Sequence, residues 1–152
     1  MLTISSLKVQ GFRGYTNYQE LVFDNDAVFL FGDNHKGKSS TLNAIEWCLF
    51  GDESVGGTTG LRERIGWEVP NRNMDPSKET FVELTLKDEQ GSEYKVLRKY
   101  ITAKKDALTV TFPDNKSFTD ADATSKLSSL IKLSYRDFVT TVYQRQEAIR
   151  SF

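Results

Sequence analysis

The sequence predicts an α/β fold in which a mixed or antiparallel sheet packs on one amphipathic helix. Three observations predict it. A continuous apolar run at residues 28–31 is typical of a strand buried on both faces, a helical pattern follows it after one glycine-led loop, and three later segments alternate strictly between apolar and polar residues. At 152 residues the chain has room for one domain, residues 1–152, with a core large enough to fold without disulfides.

Composition and charge exclude several classes of protein. Lys and Arg number 20 against 21 Asp and Glu, so the net charge of -1 gives no global attraction to nucleic acid or to an anionic membrane, and any such contact needs a local patch. The single cysteine, Cys48, excludes an internal disulfide. No apolar run approaches the ~20 residues that span a bilayer, and the first residues lack a signal-peptide pattern. We therefore expect a soluble protein of the cytoplasm.

The first elements are predicted to be strands. Apolar and polar residues alternate from Leu2 to Val9, with a slip of phase at Ser5, which indicates an edge or bent strand carrying a β-bulge. A second strand pattern surrounds Leu21. Turn residues then lead into the buried strand at 28–31.

The helix after the loop is predicted to be short and mostly buried. Its apolar face is formed by Leu42, Ala44, Ile45, Cys48 and Leu49. Gly51 supplies a stop, and Trp47 is expected to pack in the core or at an interface between lobes. Five of the ten glycines fall within residues 51–66, which predicts an extended loop there.

The second half of the chain predicts an antiparallel meander and a helix. The alternating apolar residues of its three strands are Val82, Leu84 and Leu86, then Tyr94, Val96 and Tyr100, then Leu108, Val110 and Phe112. The connections are too short for parallel crossovers. Thr119 can cap a helix with Asp120 and Asp122 in its first turn. The buried stripe of that helix is Ala123, Leu127, Leu130 and Ile131.

The loop between the buried strand and the first helix carries the chemistry. Residues 32–39 read Gly-Asp-Asn-His-Lys-Gly-Lys-Ser and satisfy the G-x-x-x-x-G-K-[ST] pattern of a P-loop, or Walker A motif, in the context that this motif requires. Backbone N–H groups would point at the phosphates, Lys38 would reach the outer phosphates, and the Ser39 hydroxyl would take a Mg²⁺ position. We therefore predict an ATP and Mg²⁺ site. Its nucleotide-binding residues are Gly32, Asn34, His35, Lys36, Gly37, Lys38, Ser39 and Ser40.

Three segments together resemble the structural-maintenance-of-chromosomes (SMC) and SbcC-type DNA-repair ATPases. They are Gly-Phe-Arg-Gly at 11–14, the loop at 34–40, and Val-Tyr-Gln-Arg-Gln-Glu-Ala-Ile at 142–149. The similarity covers nearly the whole chain. It implies an ABC-type ATPase head of which this chain is the N-terminal lobe, with a long antiparallel coiled coil and a C-terminal lobe that the chain does not contain.

The resemblance also implies roles for residues outside the loop. Arg13 would approach the nucleotide phosphates, unless it is a surface arginine in a turn. Gln146 would be the Q-loop glutamine that bridges Mg²⁺ and the attacking water, and Gln144 is its competitor under a shifted alignment. The segment with Arg72 and Asn73 would lie against the adenine, or else form a solvated loop.

His35 departs from the glycine that the family usually has at this position. Histidine is among the residue types enriched at positive φ, so the loop can still form, with a looser fit to phosphate. A role as catalytic base or metal ligand has little support, because His35 is the only histidine and no Cys or Asp/Glu cluster accompanies it.

Five basic residues gather in the meander, namely Lys95, Arg98, Lys99, Lys104 and Lys105. The default interpretation places all five on the wet face of the sheet. Because relatives bind DNA along the upper surface of dimerised heads, phosphate contact is the alternative hypothesis.

The family's remaining catalytic residues are missing from this chain. No run of four apolar residues ends in Asp-Glu, and Asp88-Glu89 follows an alternating strand and a lysine, which is the wrong context. We therefore expect an ATPase only when a C-terminal head half completes it, and poor hydrolysis by this fragment alone.

The resemblance implies function and partners together. ATP held between two copies of the head would bring them together. The dimer would act on DNA, in repair, end processing or chromosome maintenance. Its partners would be DNA and a nuclease or accessory subunit, and it would not bind a membrane. Two alternatives stay open: the head of a bacterial anti-phage defence ATPase that controls a nuclease, and a P-loop small-molecule kinase.

Overall fold

The computed structural model describes residues 2–12, 15, 17–22, 44–51, 78–102 and 105–131. The described strands are β1 (Thr3–Gln10), β2 (Gln19–Val22), β3 (Phe81–Lys87), β4 (Glu93–Thr102), β5 (Lys105–Thr111) and β6 (Ser117–Thr119). The described helical segments are α1, residues 44–50, and α2, Asp120–Ile131. The strand expected at 28–31 lies outside the described residues.

The six strands form one sheet in the order β2-β1-β3-β4-β5-β6, and every neighbouring pair is antiparallel. The predicted meander from β3 to β5 is confirmed. The sequence analysis missed β6, a strand of three residues that pairs with β5 just before α2.

Strand β1 is bent, as predicted, but it is not at an edge. Its register against β3 shifts between Ile4 and Ser6, which is the bulge that the slip of phase indicated. β1 lies between β2 and β3, so the edge interpretation is wrong. The alternation of polar residues that suggested an edge arises because one face of β1 is only half-buried.

One cluster of buried side chains holds the sheet and both helices together. Leu7, Leu84 and Val96 form a row across neighbouring strands on its inner face, and none of these three side chains is exposed. Ala123, Leu127 and Ile131 of α2 belong to the same cluster, with Leu130 half-buried beside it, which confirms the predicted stripe. The opposite, outer face of the sheet carries the polar residues that alternate with the core positions.

The turn between β3 and β4 gives Asp88 a structural role. One carboxylate oxygen of Asp88 accepts hydrogen bonds from the backbone N–H groups of Gln90 and Ser92, both at 2.9 Å. The other oxygen accepts from the hydroxyl of Tyr94 at 3.3 Å. This is turn chemistry, in agreement with the interpretation that Asp88-Glu89 is not a catalytic pair.

Candidate nucleotide-binding site

Helix α1 follows the P-loop motif in sequence and is buried along the whole of its described length. All eight residues from 44 to 51 are buried, including Trp47 and Cys48, so the predicted burial of this helix is confirmed. The helix ends where expected: the N–H of Gly51 donates to the carbonyl of Trp47 at 2.8 Å, and Gly51 has φ +47.

The last turn of α1 rests on the two central strands through Cys48. The thiol donates to the carbonyl oxygens of Val82 in β3 and Val96 in β4, at 3.4 and 3.3 Å respectively. Burial raises the pKa of this thiol from 9.0 to about 12, against a smaller opposing effect of the Arg98 charge. Cys48 is therefore an inert packing residue at neutral pH.

Arg98 of β4 connects the sheet to the same turn of the helix. Its Nε donates to the carbonyl oxygen of Cys48 at 3.1 Å, and its Nη1 lies 2.9 Å from Oδ1 of Asp106 on β5. The residue is 6% exposed. A cation thus sits at the C-terminal end of α1, where the last carbonyl groups lack partners within the helix.

Phe12, the residue before Arg13, packs against α1. Phe12 is fully buried, and its ring stacks on that of Trp47 with centroids 5.7 Å apart and an interplanar angle of 30°. The N–H of Tyr15 donates to the carbonyl of Phe12 at 2.8 Å, so a hydrogen bond joins the residues on either side of positions 13 and 14. Gly11, just before Phe12, has φ +67, a conformation that favours glycine.

Comparison with known families gives a match over nearly the whole chain. A family model described as an AAA domain matches residues 6–152. The chain belongs to this AAA-domain family.

Curated proteins similar to this AAA-domain chain include two chromosome partition proteins and one repair ATPase. It is 29% identical over 93 residues to chromosome partition protein Smc of Mesomycoplasma hyorhinis, covering 61% of this chain and 9% of that protein. It is 31% identical over 98 residues to Smc of Koribacter versatilis, covering 64% and 7%. It is 22% identical over 156 residues to the DNA double-strand break repair Rad50 ATPase of Methanocaldococcus jannaschii, covering 99% and 14%.

These matches confirm the resemblance to SMC and SbcC-type ATPases and identify the chain as an N-terminal head region of that type. The chain spans less than a sixth of the length of each of these three relatives.

All of the predicted nucleotide contacts in this AAA-domain chain lie outside the described residues. They are the P-loop residues from Gly32 to Ser40, together with Arg13, Arg72, Asn73 and Gln146, and the competitor Gln144. The described part of the structure includes two segments next to them in the sequence, namely helix α1 after the P-loop motif and Phe12 before Arg13. Within the described ranges no group of three or more His, Cys, Asp or Glu side chains could hold a metal ion.

The basic residues of the meander divide between the two faces of the sheet. Lys95, Lys99 and Lys105 lie on the outer face, where Lys99 pairs with Glu79 at 3.4 Å. Lys104 lies outside the described residues. For Arg98 the predicted wet-face position is wrong, because its side chain is in phase with Val96 on the inner face and is engaged by Asp106 and α1. Arg98 is therefore not available to a DNA phosphate.

The contact of Arg98 with helix α1 is the functional feature that the sequence analysis missed. A signal was present, since Arg98 occupies the phase of the apolar residues Tyr94, Val96 and Tyr100. A charged residue at a core-facing position of a strand indicates a buried partner.

In the part of the chain that the structure describes, no helix is long and apolar enough to cross a membrane.

Proposed function

We propose that this chain is the ATP-binding lobe of an SMC/SbcC-like ATPase head, residues 1–152, that acts on DNA once a C-terminal lobe completes it. One observation carries the proposal: a P-loop motif precedes, in the sequence, a helix, α1, whose C-terminal end is hydrogen-bonded to the sheet. In P-loop proteins the loop and the start of the helix after it form an anion site, and this is the role proposed for residues 32–40. The AAA-domain match over residues 6–152 supports the same assignment.

The residues present fit ATP with Mg²⁺. The loop supplies backbone N–H groups for the phosphates, Lys38 an ammonium group for the outer phosphates, and Ser39 a hydroxyl ligand for the metal. Arg13 would add a second cation, since it directly follows Phe12, whose ring stacks on Trp47 of α1. Mg²⁺ would neutralise charge that develops on the transferred phosphoryl group.

Hydrolysis needs a positioned water, and Gln146 is the residue of this chain proposed to hold it. Phosphoryl transfer depends mainly on positioned charge, of which this lobe supplies one side. The aspartate and glutamate that the family carries elsewhere would come from the C-terminal lobe. We propose that ATP held between two such heads closes them and that hydrolysis reopens them.

The proposed setting follows from the named relatives. One is a DNA double-strand break repair ATPase, and two are chromosome partition proteins. We propose DNA and a nuclease or accessory subunit as partners, and a cytoplasmic or nucleoid-associated location. Of the five basic residues singled out in the meander, Lys95 and Lys105 are exposed in the described structure, and a DNA phosphate could reach them.

Two glutamines, separated by Arg145 alone, provide the experiment. In the full-length protein, Gln146→Ala should lower ATP turnover about 100-fold or more while the ATP dissociation constant changes little, because the side chain acts on the attacking water. Gln144→Ala is the matched control and should retain turnover. If Gln144→Ala loses turnover and Gln146→Ala retains it, the shifted alignment is correct. If neither variant loses turnover, this segment is not the Q-loop.

The two alternatives make different predictions in the same assay. A small-molecule kinase would release little inorganic phosphate without an acceptor and would transfer the γ-phosphoryl group to a metabolite. A defence ATPase would hydrolyse ATP but would pass its nucleotide state to an associated nuclease. The repair or maintenance function predicts phosphate release that DNA stimulates.

A further inference from the structure

Arg98 of β4 is buried where β3, β5 and α1 meet. Its guanidinium lies on the inner face of β4, between Val82 of β3 and Leu108 of β5 in the cross-strand register. From there it reaches the carbonyl of Cys48 in α1 at 3.1 Å and the carboxylate of Asp106 in β5 at 2.9 Å.

We propose that Arg98 is a positioning residue for the P-loop. By holding the C-terminal end of α1 on the sheet, Arg98 would fix the position of the helix that follows the P-loop motif in the sequence, and ATP affinity would depend on that position. The inference rests on the proposed function, since it concerns the same nucleotide site.

The electrostatics of the contact suit this role. Burying a guanidinium costs several kcal/mol unless charges and hydrogen bonds offset it. Asp106 offers a full negative charge, and the last turn of α1 offers carbonyl groups that have no partner within the helix. Nε and Nη1 point to different acceptors, so the planar guanidinium fixes the helix end relative to two strands at once.

The fit of the helix end on the guanidinium is close. A Cβ added at Gly51 would overlap the Arg98 guanidinium, so only glycine allows the backbone to approach this far. Cys48 adds two further contacts from the same turn, to the carbonyls of Val82 and Val96. The end of α1 therefore has little freedom to slide or tilt on the sheet.

A helix transmits this constraint because it is stiff along its axis. A displacement of ~1 Å at a binding or reacting group can cost ~100-fold in function. A shift at Arg98 would therefore be felt at the phosphates, although Arg98 itself touches no nucleotide.

The competing explanation is that Arg98 and Asp106 only stabilise the fold. Replacing a buried ion pair by apolar residues of similar volume is often neutral for stability. The double variant Arg98→Met with Asp106→Leu therefore removes the hydrogen bond to the Cys48 carbonyl of α1 while it keeps the interior packed. If the pair had only a structural role, any variant that has the parental melting temperature would also have the parental ATP affinity.

The experiment compares full-length variants by thermal unfolding and by calorimetric titration with Mg-ATP. For the double variant we expect a melting temperature within a few degrees of the parent and an ATP dissociation constant raised about tenfold, the loss that one charge-assisted hydrogen bond represents. Lys99→Met is the matched control. Lys99 is the next residue in β4, faces the other side and pairs with Glu79, so its loss should change ATP affinity less than about twofold.

Arg98→Lys gives an independent result if the double variant is unstable. The lysine keeps the charge but lacks the planar fork that reaches Cys48 and Asp106 together, so we expect a folded protein whose ATP affinity is several-fold lower. The inference is overturned if the folded Arg98 variants bind ATP within about twofold of the parent, or if recovery of stability restores affinity.

Lys38→Ala, measured beside these variants, separates the two proposals. If Lys38→Ala loses ATP and the Arg98 variants do not, the positioning role is wrong and the proposed function stands. If Lys38→Ala binds ATP like the parent, the proposed function is wrong, and the positioning role is wrong with it.

Discussion

The ring of Phe12 stacks on the indole of Trp47, with centroids 5.7 Å apart and planes inclined by 30°. The contact joins the turn after β1 to the helix after the P-loop, two segments that lie 35 positions apart in the sequence. Both rings are essentially inaccessible to solvent. The stack therefore fixes Phe12, the residue before Arg13, against α1.

Phe12→Leu tests this relationship. Loss of the stacked ring should lower the free energy of unfolding by about 1–3 kcal/mol, since a buried aromatic contact and part of its volume disappear. ATP affinity should fall as well, because Arg13 loses its support. Urea unfolding and ATP titration measure the two effects.

Tyr18→Leu is the control for the Phe12 variant. Tyr18 also contacts an aromatic ring, that of Phe81 at 6.3 Å, but it is 48% exposed, and its loss should cost less than about 0.5 kcal/mol. Equal stability losses in Phe12→Leu and Tyr18→Leu would contradict the account.

Gly51→Ala should destabilise the protein more than Gly91→Ala. Both glycines have positive φ, +47 and +82, so each alanine carries a backbone cost of about 1 kcal/mol. At Gly91 nothing lies within 4 Å of the added Cβ, whereas at Gly51 it would overlap the guanidinium of Arg98. We expect about 1 kcal/mol for Gly91→Ala and about 3 kcal/mol for Gly51→Ala, measured by urea unfolding. The reverse order would refute the close contact at Arg98.

Cys48 should make stability depend on pH in the alkaline range. Burial raises the pKa of its thiol from 9.0 to about 12, so above pH 9 the unfolded chain loses a proton that the folded chain keeps. Stability from this group is complete below pH 9 and is lost as the pH rises toward 12, with a slope of up to about 1.4 kcal/mol per pH unit.

Comparison with Cys48→Ala isolates this effect from lysine and tyrosine titration. The difference in unfolding free energy between the parent and Cys48→Ala should shrink as the pH rises from about 8 to about 10.5. A difference that stays constant over this range would show that the thiol is not desolvated. Native Cys48 should also resist thiol reagents at pH 8 until the protein unfolds.

Much of the sheet could be predicted from alternation alone. Val82 with Val96, and Leu108 with Val110, carry the period of two that a half-buried strand requires, and the bulge near Ser5 appears as a slip in that period. The position of β1 could not be predicted in this way. Strand order depends on pairing between distant segments, such as β1 with β3, and a local pattern does not contain that information.

The nucleotide motif could be predicted from the sequence, but the contact of Arg98 with the helix that follows the motif could not. The P-loop pattern is local, and it needs only a strand before it and a helix after it. The tie between Arg98 and Cys48 joins residues 50 positions apart. The sequence signal for the burial of Arg98 is its position on the same face of β4 as Tyr94 and Val96. Grouping Arg98 with the neighbouring basic residues does not show this position.

The outer face of the sheet gives a prediction about DNA. Changing Lys95, Lys99 and Lys105 together to Ala should weaken DNA binding by the full-length protein and should reduce the slope of log affinity against log salt by about 2–3, one counterion for each lost phosphate contact. Filter binding over a salt titration measures both. Lys116→Ala, an exposed lysine beside Asp114 in the β5–β6 turn, is the control. An unchanged slope in the triple variant would remove this face from the DNA interface.

The most direct test of the central claim is equilibrium ATP binding by full-length Lys38→Ala, with Lys116→Ala as control. Lys38 is proposed to place its ammonium group on the outer phosphates, so its loss should raise the ATP dissociation constant about 100-fold and abolish turnover, while Lys116→Ala binds like the parent. ATP binding and hydrolysis by Lys38→Ala at the parental level would contradict the account.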